Sequence, residues 1–279
     1  MGTFIWCAMA TQVHSMKVDF IVAGTQKGGT SALRAYLREH TEICMAREKE
    51  VHFFDNEQHF KTGAIDYAAY HSFFCPQVSH KIIGEVTPIY MYWYHAPRRI
   101  WQYNPDIKLI FVLRNPIERA YSHWNMERAR GADSLSFWDA IHHEKARCRD
   151  ALPYQHRVYS YIDRGFYSEQ LRRFWTYFPR KQTLVLKSEE LRQHPVKTLE
   201  RIYRFLAVSA RLTISAKTVH ATPYARPMSR QEREHLLHIF EREVRELGQM
   251  LGWNCDDWLS VNASEPARFH AQRPGINAP

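Results

Sequence analysis

The sequence predicts an α/β protein, a P-loop-like three-layer fold whose central, mostly parallel sheet is flanked by helices. Three observations predict it. Four short apolar runs, Phe20–Ala23, Lys81–Val86, Lys108–Leu113 and Thr183–Leu186, have the length and composition of buried strands. Segments with apolar residues at helical spacing separate these runs, the pattern of a parallel sheet with helices on both faces. A glycine-rich loop at residues 24–31 joins the first run to the first helical segment. The 279 residues, 45% of them hydrophobic, are enough for a sizeable core. We expect residues 1–18 to be a lead-in, 19–259 a single domain and 260–279 a loose polar tail.

The stretch Asp19–Leu37 organises the chain. Its strand runs into Gly24-Thr25-Gln26-Lys27-Gly28-Gly29-Thr30-Ser31, after which Leu33, Tyr36 and Leu37 recur at helical spacing. Backbone N–H groups at a helix N-terminus point outward, the helix dipole favours an anion there, and glycines let a phosphate come close. The loop keeps the glycine spacing of a nucleoside-triphosphate P-loop, but its lysine sits inside the loop at Lys27, and Thr30 takes the P-loop lysine's place. A plain strand-to-helix turn is the alternative. Lys27 beside a Gly-Gly pair favours a phosphate loop.

The following elements are expected in order. Glu42–Glu50 reads as polar and irregular, ending in Glu50-Val51-His52-Phe53-Phe54-Asp55. Tyr67–Phe74 reads as a helix. The strand Lys81–Val86 leads into Thr87-Pro88, and the aromatic stretch Tyr90–Tyr94 fits either core packing or the wall of an acceptor cleft. Arg98–Gln102 reads as a short helix closed by Asn104-Pro105. The run Lys108–Leu113 ends in Arg114-Asn115-Pro116, and Ile117–Arg128 follows as a helix with proline at its first turn. Arg114, at the carboxyl end of a parallel strand, faces the ligand crevice of such folds, and its fork matches a phosphate; a structural ion pair is the alternative. Ser122 offers a hydroxyl farther along the same helix. Leu135–Cys148, Ser168–Phe178 and Pro195–Leu206 read as helices. Ser229–Leu251 reads as a long amphipathic one closed by Gly252, after the proline-containing loop Val219–Met228.

Composition excludes several classes. No apolar run reaches the roughly 18 residues of a membrane span, and Phe4–Ala10 is a poor signal peptide, so a cytoplasmic protein is expected. Five scattered cysteines without a C-x-x-C pair argue against a disulfide framework and a cysteine zinc site. Sixteen histidines without metal-ligand spacing argue against a metal centre. The net charge of +9 suits an anionic ligand. Lys and Arg are spread along the chain with no nucleic-acid motif, which favours a polyanionic small molecule over nucleic acid.

The combination resembles the PAPS-dependent sulfotransferases, within them the heparan-sulfate and bacterial nodulation-factor type. The resemblance spans about Asp19 to Trp258 and rests on four segments. Gln26-Lys27-Gly28-Gly29-Thr30-Ser31 is similar to the family's 5′-phosphosulfate loop, and Glu50-Val51-His52-Phe53-Phe54-Asp55 to the segment with its catalytic glutamate. Phe111–Pro116, running to Arg119 and Ser122, is similar to the 3′-phosphate motif. Gly165-Phe166-Tyr167, then Phe178-Pro179 and the strand after it, keep the family's order.

What the resemblance implies is specific. Gln26, Lys27, Gly28, Gly29, Thr30 and Ser31 would hold the 5′-phosphosulfate, with Lys27 the cation at the transferring group. Arg114 and Ser122 would hold the 3′-phosphate, Tyr167 and Arg226 would help bind the nucleotide, and Glu50 would be the general base. Members acting on glycosaminoglycans often carry lysine in a Glu-Lys-[Thr/Ser]-Pro segment; here it is Glu85-Val86-Thr87-Pro88. The chemistry fits the residues themselves. A sulfuryl group carries less charge than a phosphoryl group, so one lysine and helix-terminal amides suit its in-line transfer without a metal. A carboxylate serves as base if burial raises its pKa, and His52, two residues along, is the rival base. The expected activity is transfer of sulfate from PAPS to a hydroxyl of a small-molecule or oligosaccharide acceptor, releasing PAP. A magnesium- and ATP-dependent P-loop-like kinase or NTPase is one alternative, and a non-catalytic anion- or RNA-binding protein another.

Overall fold

The computed structural model describes residues 16–61, 63–210, 224 and 226–260. Contacts divide the chain into two compact units. The first comprises the described residues up to Leu113 and from Gln170 to 210; the second comprises Arg114–Glu169 and the described residues from Tyr224 onward.

The first unit is built on a five-stranded, wholly parallel sheet: β1 (Phe20–Gly24), β2 (Ile43–Met45), β3 (Ile82–Val86), β4 (Lys108–Leu113) and β5 (Thr183–Lys187), in the spatial order β2-β3-β1-β4-β5. Crossover connections make the sheet parallel, and burial on both faces explains the continuous apolar reading of β1 and β4, each residue of β1 being buried. The register places Ile21 against Glu85 and Leu109, and Phe20 against Gly84 and Lys108.

The helices are α1 (Thr30–Arg38), α2 (Tyr67–His71), α3 (Ala96–Tyr103), α4 (Pro116–Ala129), α5 (Phe137–His142), α6 (Glu144–Arg147), α7 (Tyr167–Trp175), α8 (Ser188–Gln193), α9 (Pro195–Leu206) and α10 (Arg230–Leu251). Side chains alternate across a strand. Phe20, Val22, Ile110 and Val112 therefore share one face, where Leu33, Tyr36 and Leu37 of α1 and Leu199, Ile202 and Leu206 of α9 bury them. Phe111 points the other way, and its ring meets Phe174 of α7 edge-on at 5.0 Å. The expected central parallel sheet flanked by helices is the architecture observed.

In the second unit α4 follows Asn115, whose side chain caps it by accepting from the Ile117 N–H at 3.0 Å, with Pro116 at the first helical position. α10 starts on a capping box between Ser229 and Glu232 and ends at Gly252 in the left-handed region. Gly165 is needed because a Cβ there would lie 2.5 Å from the Phe240 ring.

The structure differs from the sequence expectations in three places. The stretch read as irregular holds β2, whose three residues are too few to display a period. The single helix expected over Leu135–Cys148 is broken at His143 into α5, α6 and a 3-10 turn, Cys148–Ala151. A short helix, α8, lies where none was expected. Residues 1–15 of the lead-in, most of the Val219–Met228 loop and the tail beyond Ser260 lie outside the described residues.

Candidate active site

The Gly24–Ser31 loop leaves the carboxyl end of β1 and is held tight against its neighbour β4. Thr25 N–H donates to the Val112 carbonyl at 3.0 Å, and Gly28 N–H donates to the Thr25 carbonyl at 2.9 Å. Gly28 is fixed by this approach: a Cβ there would sit 2.2 Å from the Val112 carbonyl oxygen. Gly29, at φ 102°, is the N-cap of α1, and no side chain caps that helix. Its first-turn amides are thus presented by backbone alone, with no acidic residue in the first turn. Gln26 and Lys27 are partly exposed, while Gly28 and Thr30 are buried. The loop has the requirements of an anion cradle: a close-packed glycine, a helix N-terminus and a lysine.

Backbone strain marks the same residues. Among the described residues, the non-glycine positions with positive φ are Lys27 (70°), Glu50 (63°), His52 (55°) and Ala207 (59°). Ala207 is the C-cap of α9, a place where the left-handed region is ordinary. The other three lie in loops and turns and not at a helix C-cap. Each costs conformational energy and persists only because its surroundings impose it.

The surroundings that impose it on Glu50 and His52 are legible. Glu50 N–H donates to the Val86 carbonyl at 3.1 Å, and Val51 N–H donates to Thr87 Oγ1 at 2.9 Å, so the turn is tied to the carboxyl end of β3. Thr87 Oγ1 donates in turn to Glu85 Oε2 at 2.6 Å, and the Tyr70 hydroxyl donates to Glu85 Oε1 at 2.6 Å. The Tyr90 hydroxyl lies 3.3 Å from the same Oε1 and accepts the Phe53 N–H at 2.9 Å. Glu85 is wholly buried, and burial pushes its carboxyl up to about 7 against the three hydroxyls that favour its ionised form. It is an anchoring group of the interior.

Glu50, His52 and Asp55 form a short relay within this turn. His52 Nδ1 lies 3.0 Å from Oδ2 of the fully buried Asp55, and His52 Nε2 lies 3.6 Å from Glu50 Oε2. Lys49 Nζ is 3.2 Å from the other Glu50 oxygen. Hydrogen bonding to Asp55 and then to Glu50 pushes His52 up to about 9, so its imidazole is charged at neutral pH. Burial pushes the Glu50 carboxyl up, but His52 and Lys49 together outweigh it and hold the group below the usual carboxylate range. The rise expected from burial alone is therefore reversed by two neighbouring cations. The resemblance assigns Asp55 no role; the signal for it in the sequence is its His-x-x-Asp spacing from His52.

The aromatic stretch is mostly core. Tyr90, Met91, Tyr92 and Trp93 are buried, while Tyr94 is 62% exposed. Trp93 Nε1 and Arg99 Nη1 donate to Glu57 Oε1 at 2.8 and 2.9 Å, which fastens the end of the acidic turn to this stretch. Val86 is a core residue, packed with Phe20 and Val22.

In the second unit, Arg114 and Ser122 are both buried, 4% and 3% exposed. The Tyr167 hydroxyl donates to the Arg114 carbonyl at 2.9 Å, so the fully buried Tyr167 braces the Arg114 backbone. The Arg226 guanidinium pairs with Glu232, donating from Nη1 to Oε2 at 2.8 Å, and lies 5.9 Å from the Trp124 ring centroid; its carbonyl accepts from the Tyr121 hydroxyl at 2.6 Å. Among the described residues no group of three or more His, Cys, Asp or Glu could hold a metal ion, and no helix is long and apolar enough to cross a membrane.

Comparison with known proteins bears on the family and the fold. A family model described as sulfotransferase domain matches residues 17–246. A solved sulfotransferase from Alicyclobacillus acidocaldarius superposes with a TM-score of 0.74 at 26% identity, over 87% of this chain and 99% of that one. A mouse sulfotransferase solved in complex with PAP shares the fold at a TM-score of 0.54 and 14% identity, over 85% of this chain and 89% of that one. Human heparan sulfate glucosamine 3-O-sulfotransferase 6 is 32% identical over 193 residues, 69% of this chain and 53% of that protein. The human bifunctional heparan sulfate N-deacetylase/N-sulfotransferase 2 is 30% identical over 200 residues, 68% of this chain and 22% of that protein. The match thus takes in about half of the first of these human relatives and less of the second.

Proposed function

The chain belongs to the sulfotransferase family, and we propose that it transfers the sulfuryl group of PAPS to a hydroxyl of a carbohydrate or natural-product acceptor by in-line displacement, as a single domain over residues 19–259. One observation carries the reading. Three of the four described non-glycine residues with left-handed backbone are Lys27, Glu50 and His52, and these are the cation and the two candidate bases for such a transfer.

Lys27 and the backbone amides of Gly28–Ser31 hold the 5′-phosphosulfate, with Gln26 at the start of the turn. The α1 N-terminus, which no side chain caps and no acidic residue approaches in its first turn, supports this fit. Lys27 and the α1 N-terminus stabilise the charge on the sulfuryl oxygens as the S–O bond to the phosphate lengthens. Arg114 and Ser122 hold the 3′-phosphate, with Tyr167 fixing the Arg114 backbone and Arg226 flanking the nucleotide. Arg114 at the end of β4 occupies the place where a P-loop NTPase keeps an acidic magnesium ligand, which speaks for a transfer that needs no metal.

Glu50 takes the acceptor hydroxyl's proton as the new S–O bond forms. Its ionised state, held by His52 and Lys49, supports that role, and the charged state of His52 speaks against the imidazole as base. His52 keeps the Glu50 carboxylate ionised and oriented. When donor and acceptor cover Glu50, added burial strengthens the upward push already present and raises its basicity. The human heparan sulfate relatives favour a carbohydrate acceptor, while Val86 leaves the lysine position of glycosaminoglycan-modifying members without a cation.

A thermal-shift comparison of PAP, ADP and ATP, each with and without magnesium, tests the donor. PAP should stabilise the protein most, and equally with EDTA. Stabilisation by ATP with magnesium but not by PAP would replace this reading with an ATP-dependent kinase or NTPase.

A further inference from the structure

Glu85 stands near the carboxyl end of β3 with no cation beside it. Val86 joins the α1–α9 core, so alternation along the strand turns Glu85 to the opposite face. There it is wholly buried, and among the described residues no Lys, Arg or His pairs with it. A buried carboxylate without a cation is costly, and a well-packed apolar side chain would avoid that cost. Three hydroxyls meet it instead, from Tyr70 at 2.6 Å, Thr87 at 2.6 Å and Tyr90 at 3.3 Å.

Two of these hydroxyls reach further. A hydroxyl has a single hydrogen, and once Glu85 accepts it, only lone pairs face the other way. Thr87 Oγ1, so oriented, accepts the Val51 N–H at 2.9 Å, and the Tyr90 hydroxyl accepts the Phe53 N–H at 2.9 Å. These two amides flank His52, whose φ is 55°. The amide of Glu50, at φ 63°, is held by the Val86 carbonyl at 3.1 Å. The strained backbone is therefore pinned at residues 50, 51 and 53 in succession. Tyr70 secures the end of the same segment through its ring, which lies 4.8 Å from the Phe53 ring and 5.1 Å from the Phe54 ring.

We propose that Glu85 is a positioning residue for the transfer: its carboxylate orients the Thr87 and Tyr90 hydroxyls as two acceptor arms, and these arms hold the left-handed backbone that sets His52 between Glu50 and Asp55. The proposal rests on Glu50 as the base and names the group that fixes its place. Glu85 acts through the two hydroxyls and meets neither donor nor acceptor. With an arm cut, the backbone relaxes toward negative φ. The contacts of His52 with Asp55 at 3.0 Å and with Glu50 at 3.6 Å then open.

Thr87→Val and Tyr90→Phe each cut one arm without a change of charge, and Thr87→Ser keeps the hydroxyl. Glu85→Gln keeps the shape but sets an NH2 donor against either Thr87 or the tyrosines, so at least one hydroxyl loses its acceptor. The first measurement is amide hydrogen exchange by NMR in ligand-free protein. The Val51 and Phe53 amides should exchange slowly in wild type and Thr87→Ser. Val51 should exchange faster in Thr87→Val, Phe53 in Tyr90→Phe, and at least one of them in Glu85→Gln. The second is the His52 titration, whose midpoint should move from about 9 toward 6.5 in Thr87→Val and stay in place in Thr87→Ser. The third is turnover of PAPS with heparan sulfate as the probe acceptor. It should fall on the order of 10²-fold in kcat in Thr87→Val and Glu85→Gln, the loss that follows a misplaced catalytic group, with PAP affinity unchanged. A purely structural role would lower thermal stability and leave the His52 midpoint and kcat where they are. Should one variant fail to fold, the others carry the same readouts, and fast exchange of both amides in wild type alone would overturn the proposal. So would an unmoved His52 midpoint in Thr87→Val, or wild-type turnover in Glu85→Gln, while leaving the sulfotransferase reading intact. The expected exchange and titration in a wild-type protein that transfers nothing to heparan sulfate would uphold the hold on the backbone and count against the proposed acceptor.

Discussion

Replacing Asp55 with asparagine isolates the group that sets the charge of the acid–base turn. The carboxylate is fully buried and lies 3.0 Å from His52 Nδ1, against 3.6 Å between Nε2 and Glu50. His52 is held at about 9 rather than its ordinary 6.5, and the Asp55 hydrogen bond is the largest cause. Asparagine keeps the volume and an acceptor oxygen but removes the charge. With two carboxylates sharing the effect and Asp55 the nearer, its removal should lower the His52 midpoint by at least about one pH unit, to about 8 or below. At pH 8.5 the imidazole would then go from about three-quarters charged to about one-quarter charged. The assay is an NMR titration of the His52 ring carbon from pH 5 to 11 in both proteins, without ligand. The linkage sign is definite: a folded-state midpoint above the unfolded one gives stability that is full below about 6.5 and lost as pH rises through about 9. Denaturant midpoints over that window should therefore fall less steeply in Asp55→Asn than in wild type. A wild-type His52 midpoint near 6.5, or one unmoved by the substitution, would refute the relay.

Glu50→Gln should bind PAP as wild type does and lose about 10²–10⁴ in turnover, the range for removing a general base; retained turnover would move the base to another group. Arg114→Ala should weaken PAP far more than adenosine 5′-phosphosulfate, which lacks the 3′-phosphate, in calorimetric titrations; equal losses would reject Arg114 as the 3′-phosphate ligand. Gly28→Ala should cost about 1–3 kcal/mol of stability by overpacking and reduce PAP affinity, because its Cβ would lie 2.2 Å from the Val112 carbonyl oxygen. Unchanged PAP affinity in that variant would separate the loop from the donor.

Most of the sheet could be read from the chain because its strands are buried on both faces and so write themselves as unbroken apolar runs. The run Lys108–Leu113 was expected with the bounds it has, and Pro195–Leu206 likewise, since a proline starts that helix and an apolar period continues it. β2 is not legible because three residues at a sheet edge carry no period, and Leu135–Cys148 looks like one continuous helix because spacing does not register a break at one histidine. The residue types of the candidate site, the loop around Lys27, the carboxylate at Glu50 and the guanidinium of Arg114, stood in the sequence as motifs. Their charge states did not. A carboxylate in a half-buried turn is pushed up by burial and down by cations, and which prevails depends on neighbours that folding brings within 3–4 Å. Sequence alone determined which groups are present and the kind of sheet that carries them. Only the tertiary structure decided that Asp55 keeps His52 charged, that His52 and Lys49 keep Glu50 ionised, and that Glu85 is buried beneath them, because electrostatic energies follow distance and solvent access and neither is encoded by position along the chain.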